Sequence, residues 1–96
     1  MFAAAQLFLE NVSARHACRA VVLASEEGLP VAGTGSEEDV TEVAAVATHA
    51  DRAAEHGVQC FSVVHGDDRF FVGALGVIPE LECRTAIARI LATAEF

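Results

Sequence analysis

Positive charge is scarce in this 96-residue chain, and lysine is absent altogether. The basic residues are six arginines, which stand against fourteen aspartates and glutamates and leave a formal net charge of −8. Proteins that bind nucleic acid need basic side chains to displace counterions from the phosphates. The composition therefore excludes nucleic acid, and for the same reason an anionic membrane surface, from the expected partners.

Paired cysteines and long apolar runs are missing too. Cys18, Cys60 and Cys83 are odd in number, widely spaced and free of any C-x-x-C pair, so neither a disulfide framework nor a zinc site is expected. No run approaches the roughly 20 apolar residues that span a bilayer. The opening segment MFAAAQLFLENV lacks the positive start of a signal peptide and contains a glutamine and a glutamate. We expect a soluble, cytoplasmic protein with reduced thiols and no membrane insertion.

Motifs of catalysis and ligand binding are also absent. Residues 33–36, GTGS, lack the lysine and spacing of a P-loop. Arg52 and Arg69 are conceivable transition-state arginines, but a solvated surface charge is the more frequent role. Cysteines in apolar runs are more often buried hydrophobes than nucleophiles. Six histidines and cysteines could serve as metal ligands, but their spacing matches no metal-binding motif. They are His16, Cys18, His49, His56, Cys60 and His65. The sequence predicts no enzyme, no metal and no cofactor.

The chain length predicts a single domain, residues 1–96, with one hydrophobic core. Hydrophobic residues make up 53% of it, which is a high share for a soluble domain of this size. Surplus apolar surface commonly lies against another protein. We therefore expect the domain to associate with a second copy or a partner.

A β-hairpin leading into a helix is the clearest local pattern. Strands are predicted at 20–24 and 29–32, because two short apolar segments flank an acidic turn in which Gly28 can adopt a positive φ. Ser36 with Asp39 three residues later matches a helix N-cap. A second hairpin is predicted from strands at 58–65 and 69–77.

The composition of residues 70–75 in the second hairpin indicates where its second strand lies in the sheet. Residues 70–75 are apolar nearly throughout, which favours a central strand covered on both faces. Gly73 within that strand indicates a bulge or close packing from above. Two turns of the same kind, each with glycine and acidic residues, thus separate the four predicted strands.

Three helices complete the pattern, at residues 2–15, at 37–56 and from Pro79 to the C-terminus. The first carries an apolar stripe at helical spacing, and the third places apolar residues from Cys83 to Ala94 on one side. The order α-β-β-α-β-β-α predicts an α/β (α+β) fold in which an antiparallel sheet has helices on both faces.

The second helix carries the candidate contact face. Its stripe of alanine and valine lets another helix or a sheet approach closely, so it suits an assembly contact as well as an internal one. Six residues of this stripe and two of the following strand form the predicted self-interaction face: Val40, Val43, Ala44, Ala47, Ala50, Ala54, Cys60 and Ser62.

Acidic residues are expected to cluster around one end of the first hairpin and the second helix. A cation or a basic partner could dock there, but turn solvation and complementarity to the helix dipole are the better explanation of these residues. The residues are Glu26, Glu27, Glu37, Glu38, Asp39 and Glu42.

The segment VVLASEEGLPVAGTGSEEDVTEVAAVA, residues 21–47, resembles the roadblock/LC7 family and in particular its bacterial MglB-like members. In that family an opening helix leads into a strand of the form (V/L)-(V/L)-x-(D/S)-x-x-G-L-P-(I/V)-A-x-x-G. Residues 21–32 and Gly35 stand in its place here. The resemblance extends over essentially the whole chain and implies a roadblock/profilin-like fold.

The resemblance implies a non-catalytic module that forms a homodimer or pairs with a related roadblock protein. Such a module binds or regulates a small Ras-like GTPase, or scaffolds a motor or signalling assembly. One departure is that the family has three strands between its second and third helices, whereas only two fit between Gly57 and Pro79. Residues 70–75 would then take the centre beside the first strand, and the edge strand through which family members commonly extend their sheets would be residues 58–65 or be missing. The alternative function is a small GAF/profilin-like ligand-sensing domain, with a pocket between the sheet and the first and third helices.

Overall fold

The computed structural model describes residues 2–93, so the predicted helical position Ala94 lies outside the described part. Within that part, the chain alternates helices with hairpins in the predicted order, with one additional short helix. The elements are α1 (Ala3–His16), β1 (Ala20–Ala24), β2 (Pro30–Thr34), α2 (Glu37–Ala47), α3 (Ala50–Glu55), β3 (Gln59–His65), β4 (Asp68–Leu75) and α4 (Glu80–Thr93).

The four strands form one antiparallel sheet in the order β2-β1-β4-β3. β1 pairs with β2 on one side and with β4 on the other, and Val22 lies opposite Gly73. The predicted central position of residues 70–75 is therefore confirmed, and β3 lies at the edge. Only two strands lie between α3 and α4 in the described chain, as the spacing from Gly57 to Pro79 predicted.

Local signals account for the first hairpin and the start of α2. β1 has the predicted bounds, while β2 runs two residues beyond the predicted end. Gly28 adopts a φ of +81°, and its amide donates to the Ser25 carbonyl at 3.0 Å. The Ser36 hydroxyl accepts a hydrogen bond from the Asp39 amide at 3.1 Å, which confirms the predicted N-cap.

The prediction of one helix over residues 37–56 is wrong, because the helix breaks between Ala47 and Ala50. Thr48 ends α2, and His49 is extended, with φ −131° and ψ 97°. Threonine and histidine are weak helix formers, and the break lets α3 fold back beside α2 toward the start of β3. This arrangement buries Ala53 rather than the predicted stripe residues of that segment.

α1 and α4 cover one face of the sheet, here called the α1/α4 face. Its core consists mainly of leucine, isoleucine and valine side chains from both helices and all four strands, with α4 packed chiefly over β3. Leu9, Leu23, Ile87 and Leu91 are each at most 1% exposed. Large aliphatic side chains therefore fill the centre of this face.

α2 and α3 cover the opposite face, the α2/α3 face, with smaller side chains such as Val22, Val43 and Ala44. α2 approaches β4 so closely that a Cβ on Gly73 would lie 2.7 Å from Cγ1 of Val43 and 3.1 Å from Cβ of Ala47. The predicted role of Gly73 in close packing is thus confirmed. A glycine is required there because α2 rests directly on the strand.

Two glutamine side chains form hydrogen bonds that link elements of the fold to one another. Gln6 on α1 donates to the Gly33 carbonyl at 2.7 Å and accepts from the Gly33 amide at 2.8 Å. Gln59 on β3 makes the same pair of bonds to Ile78, at 3.1 and 2.9 Å. Each amide satisfies two backbone groups in a partly buried position, and so holds α1 on β2 and the start of α4 near β3.

Candidate interaction surface

The strand β3 forms one edge of the sheet and is the first part of the candidate surface. It pairs with β4 from Gln59 to His65, and no strand within residues 2–93 pairs with its other side. An edge strand presents unpaired backbone N–H and C=O groups that can accept another strand. The fold therefore provides a site for sheet extension seven residues long.

Three residues of the predicted self-interaction face lie inside the protein. Val43 and Ala44 are 0% exposed and Ala47 is 1% exposed, because α2 presses them onto β1 and β4. The alanine and valine stripe suited either an internal or an assembly contact, and for these three residues the contact is internal. They can reach a second copy only if α2 leaves the sheet.

The other five residues of that face are accessible. Val40 and Cys60 are partly exposed at the margin of the core, and Ser62 is partly exposed in the middle of β3. Ala50 and Ala54 lie exposed on α3. The accessible part therefore follows α3 and the edge strand rather than the length of α2.

Val64 belongs to the same surface but was not among the predicted residues. It follows Ser62 by two positions on β3, so its side chain lies on the same face of the sheet, and it is 58% exposed. The pattern VQCFSVVH contained the signal, because its alternate residues face opposite sides once β3 is known to be a strand. Which side is uncovered depended on the placement of α3.

A groove opens at the end of the sheet where the two hairpin turns lie. Because β1 and β4 are antiparallel, the turn after β1 and the turn before β4 meet at the same end. The C-terminal end of α2 forms a further wall. The groove has a volume of about 720 Å³ and is lined by Glu26, Glu27, Gly28, Ala45, Thr48, His49, Val64, Gly66, Asp67, Asp68, Arg69 and Phe71. We call it the turn groove.

The predicted single acidic cluster is wrong, because its members are spread along α2, with Glu42 in the middle of the helix. Glu26 and Glu27 line the turn groove near Ala45, whereas residues 37–39 form the first turn of α2. Eight residues of helix separate Glu37 from Ala45, which is about 12 Å. Asp39 instead pairs with Arg19 at 3.0 Å, across an exposed contact.

On the α1/α4 face, the edge of β3 is bordered by a charged pair. Arg84 of α4 donates to Glu80 at 2.9 Å, and its guanidinium carbon lies 5.4 Å from the centre of the Phe61 ring. The cation lies over the aromatic face and covers part of it. A strand added to β3 would therefore meet polar side chains on this side and mainly uncharged ones on the other.

Of the three cysteines, Cys83 is buried, and Cys18 and Cys60 are partly exposed beside the hydrophobic core. Burial raises the pKa of all three thiols, and the carboxylates of Glu80 and Glu82 raise the pKa of Cys60 and Cys83 further. A raised thiol pKa lowers the fraction of reactive thiolate. Within residues 2–93 no three side chains of His, Cys, Asp or Glu come together as a metal site, and His56 instead lies 3.5 Å from Glu42.

The pocket of the alternative, ligand-sensing function would lie between the sheet and the helices α1 and α4. Leu9, Leu23 and Ile87 occupy that space and are at most 1% exposed. A small-molecule site needs several hundred Å³ of enclosed volume, so this packing argues against it. None of the helices within residues 2–93 combines the length and the apolar character needed to cross a bilayer.

The architecture and its free edge define an α+β domain of the roadblock/profilin type. Among solved structures, the chain is similar to a roadblock/LC7 domain from Streptomyces avermitilis, with a TM-score of 0.58, 14% identity and 92% of each chain covered. No family model matches the sequence, and no curated protein matches it. The chain thus has the roadblock/LC7 fold, as its residues 21–47 indicated.

Proposed function

We propose that this chain is a non-catalytic, cytoplasmic interaction module that forms a dimer with itself or with a related roadblock protein. Its remaining surface binds or regulates a small Ras-like GTPase, or scaffolds a motor or signalling assembly. The observation that carries the proposal is the roadblock/LC7 fold with its edge strand β3 open to pairing. Such a surface supports binding to another protein chain rather than catalysis.

The dimer would form by antiparallel pairing of two β3 strands. β3 runs from Gln59 to His65, so a two-fold axis at its middle residue would pass beside Ser62. That symmetry would bring Cys60 next to the partner's Val64 on the α2/α3 face. Because a symmetric interface pairs each residue with a related position of its partner, Ser62 would lie opposite its own copy.

Two charge variants at Ser62 test this arrangement. Ser62→Glu and Ser62→Arg are each expected to be monomers, because like charges directly opposite one another on paired strands are destabilising. An equal mixture of the two is expected to form a heterodimer, since the opposite charges then meet. Light scattering after gel filtration gives the masses, and circular dichroism shows that both variants remain folded.

Asn11→Glu on the exposed surface of α1 is the matched control, because α1 packs on β1 and β2 and not on β3. This variant should dimerise like the unmodified protein. A strict monomer at micromolar concentration, or a dimer that tolerates Ser62→Glu, would contradict the β3 interface. In the same series, each protein is titrated with the Ras-like GTPase encoded nearest to its gene, in both nucleotide states. A lack of binding in both states would contradict the GTPase role alone.

A further inference from the structure

We propose that the turn groove binds a basic segment of a partner protein, with an arginine or lysine beside an apolar residue. This inference rests on the proposed function as an interaction module, and it names the chemistry of the partner and the place where it binds. Three observations carry it: the shape of the groove, the charge of its rim and the apolar floor between the turns.

The shape follows from the strand order. Ala24 of β1 lies opposite Phe71 of β4, so the turns that follow and precede these residues project together beyond the sheet. α2 ends over the same region, and α3 turns away toward the other end of β3. The result is an open trough of about 720 Å³, large enough for a short extended segment of another chain.

The rim is strongly acidic. Glu26 and Glu27 come from the first turn, and Asp67 and Asp68 come from the second, whereas Arg69 is the only arginine among the lining residues. The Arg69 amide donates to Glu26 at 3.0 Å, which links the two turns and brings their carboxylates close together. Charge complementarity therefore favours a basic occupant.

The lining is mainly polar, but the floor contains two apolar side chains, Val64 and Phe71, which a merely solvated acidic surface would lack. Val64 is 58% exposed, and Phe71 lies partly exposed beside Ser62 on the neighbouring strand. Arginine and lysine carry long alkyl stems that cover apolar surface while their charged ends stay at a polar rim. An aromatic floor also attracts cations. A segment with both kinds of side chain would place its basic groups at the acidic rim and its apolar groups on the floor.

A second copy of this chain is a poorer occupant than a basic partner. The chain has a formal net charge of −8 and no lysine, so a copy would bring mainly negative charge to an acidic rim. Like charges across an interface suppress association. We therefore assign the groove to a different protein and the β3 edge to self-association, with Val64 at the border between the two surfaces.

Fluorescence anisotropy with three labelled peptides tests the assignment. The probe alternates arginine and leucine, GRLRLRG, and its controls replace arginine by glutamate, GELELEG, or leucine by serine, GRSRSRG. We expect the protein to bind GRLRLRG, to bind GRSRSRG more weakly, and not to bind GELELEG. Only GRLRLRG combines arginines for the acidic rim with leucines for the apolar floor. Equal binding of the first and third would overturn the role of the floor, and no binding of the first would overturn the proposal.

Two matched double variants separate the groove from the net charge of the protein. Glu27→Gln with Asp67→Asn removes one charge from each turn, and we expect affinity for the arginine–leucine peptide to fall by about tenfold, since two exposed charge pairs with the peptide are lost. Glu37→Gln with Glu38→Gln removes the same charge at the other end of α2 and should change affinity by less than about twofold. Equal losses of affinity in the two double variants would overturn binding at the turn groove. They would show that the peptide responds to the net charge of the whole protein.

The monomeric Ser62→Glu and Ser62→Arg proteins together keep this test independent of dimerisation, because Ser62 lies beside Phe71 and the two variants add opposite charges there. Binding of the peptide by both monomers would support the groove even if the dimer proposal failed. Loss of dimerisation in the Glu27→Gln, Asp67→Asn variant with unchanged peptide affinity would show that a second copy occupies the groove, and would overturn the assignment. A dimer that binds none of the peptides would overturn the groove and leave the dimer intact.

Discussion

The two faces of the sheet are packed in different ways, although the same strands supply both. The α1/α4 face holds large side chains such as Leu23 and Ile87, whereas the α2/α3 face holds alanine, valine and one glycine beneath α2. Large side chains bury more apolar area, and small ones let a helix approach the strands closely. The core of the first face therefore includes large side chains from all four strands, whereas the second face leaves Val64 of β3 and part of the turn end exposed.

Because of this difference, the residues that stabilise the fold and the residues of the candidate interaction surface are largely separate sets. Ser62 and Val64 of β3, which belong to the accessible part of the candidate surface, lie on the α2/α3 face without being buried by its helices. Such residues can change without opening the core, because their side chains are not held between two layers. The comparison of the faces yields three stability predictions in decreasing order of effect.

The largest effect is expected from Val43→Glu, which places a carboxylate under α2 at a site that is 0% exposed. An unpaired buried charge is destabilising by roughly 3–5 kcal/mol or more, enough to unfold a domain of ordinary stability. Ala54→Glu is the control, because Ala54 belonged to the same predicted stripe but lies exposed on α3. Circular dichroism should show an unfolded first variant and a folded second one. A folded, monomeric Val43→Glu protein would contradict the internal position of α2.

Leu23→Ala and Val22→Ala compare the faces directly, since these neighbours on β1 point to opposite sides and are both 0% exposed. Leu23→Ala should destabilise the protein by about 2–5 kcal/mol through lost burial and a cavity. Val22→Ala removes two carbons at about 0.8 kcal/mol each and should be destabilising by roughly 1.5 kcal/mol. Urea unfolding measures both, and a larger loss at Val22 would contradict the different packing of the faces.

The smallest of the three effects is expected from Gly73→Ala. A methyl group there would lie 2.7 Å from Cγ1 of Val43, so α2 must shift, at a cost of about 1–3 kcal/mol. Val43→Ala removes the clashing methyl group. The double variant should therefore be more stable than the sum of the single changes by about 1 kcal/mol. Additive changes in the free energy of unfolding would show that the two residues do not press on one another.

Much of the fold was predictable because its signals are local. The cap at Ser36 and the turn at Gly28 are made by residues within four positions of one another. The break after Ala47 was not predictable in that way, since alanine-rich periodicity continues through residue 54. It reflects the position of β3, whose start lies at the opposite end of the sheet and requires the chain to turn back.

The candidate surface was predictable only in part. A stripe of small residues is compatible with a core and with an interface, so the pattern alone could not assign Val43 to the interior. Val64 was missed because its exposure depends on how far α3 covers the edge strand. Glu26 and Glu27 were singled out in the sequence, but Asp67 and Asp68 were missed, because the two turns are distant in sequence and meet only when β1 pairs with β4.

By itself the sequence determined the order of helices and strands, the main caps and turns, the central place of residues 70–75 and the resemblance that led to the fold. These features depend on hydrogen bonds and apolar spacing over a few neighbouring residues. Only the tertiary structure decided which face of α2 is buried, where the second helix ends and which acidic residues face one groove. Those outcomes depend on strand pairing and on competition for buried area between residues far apart in the chain.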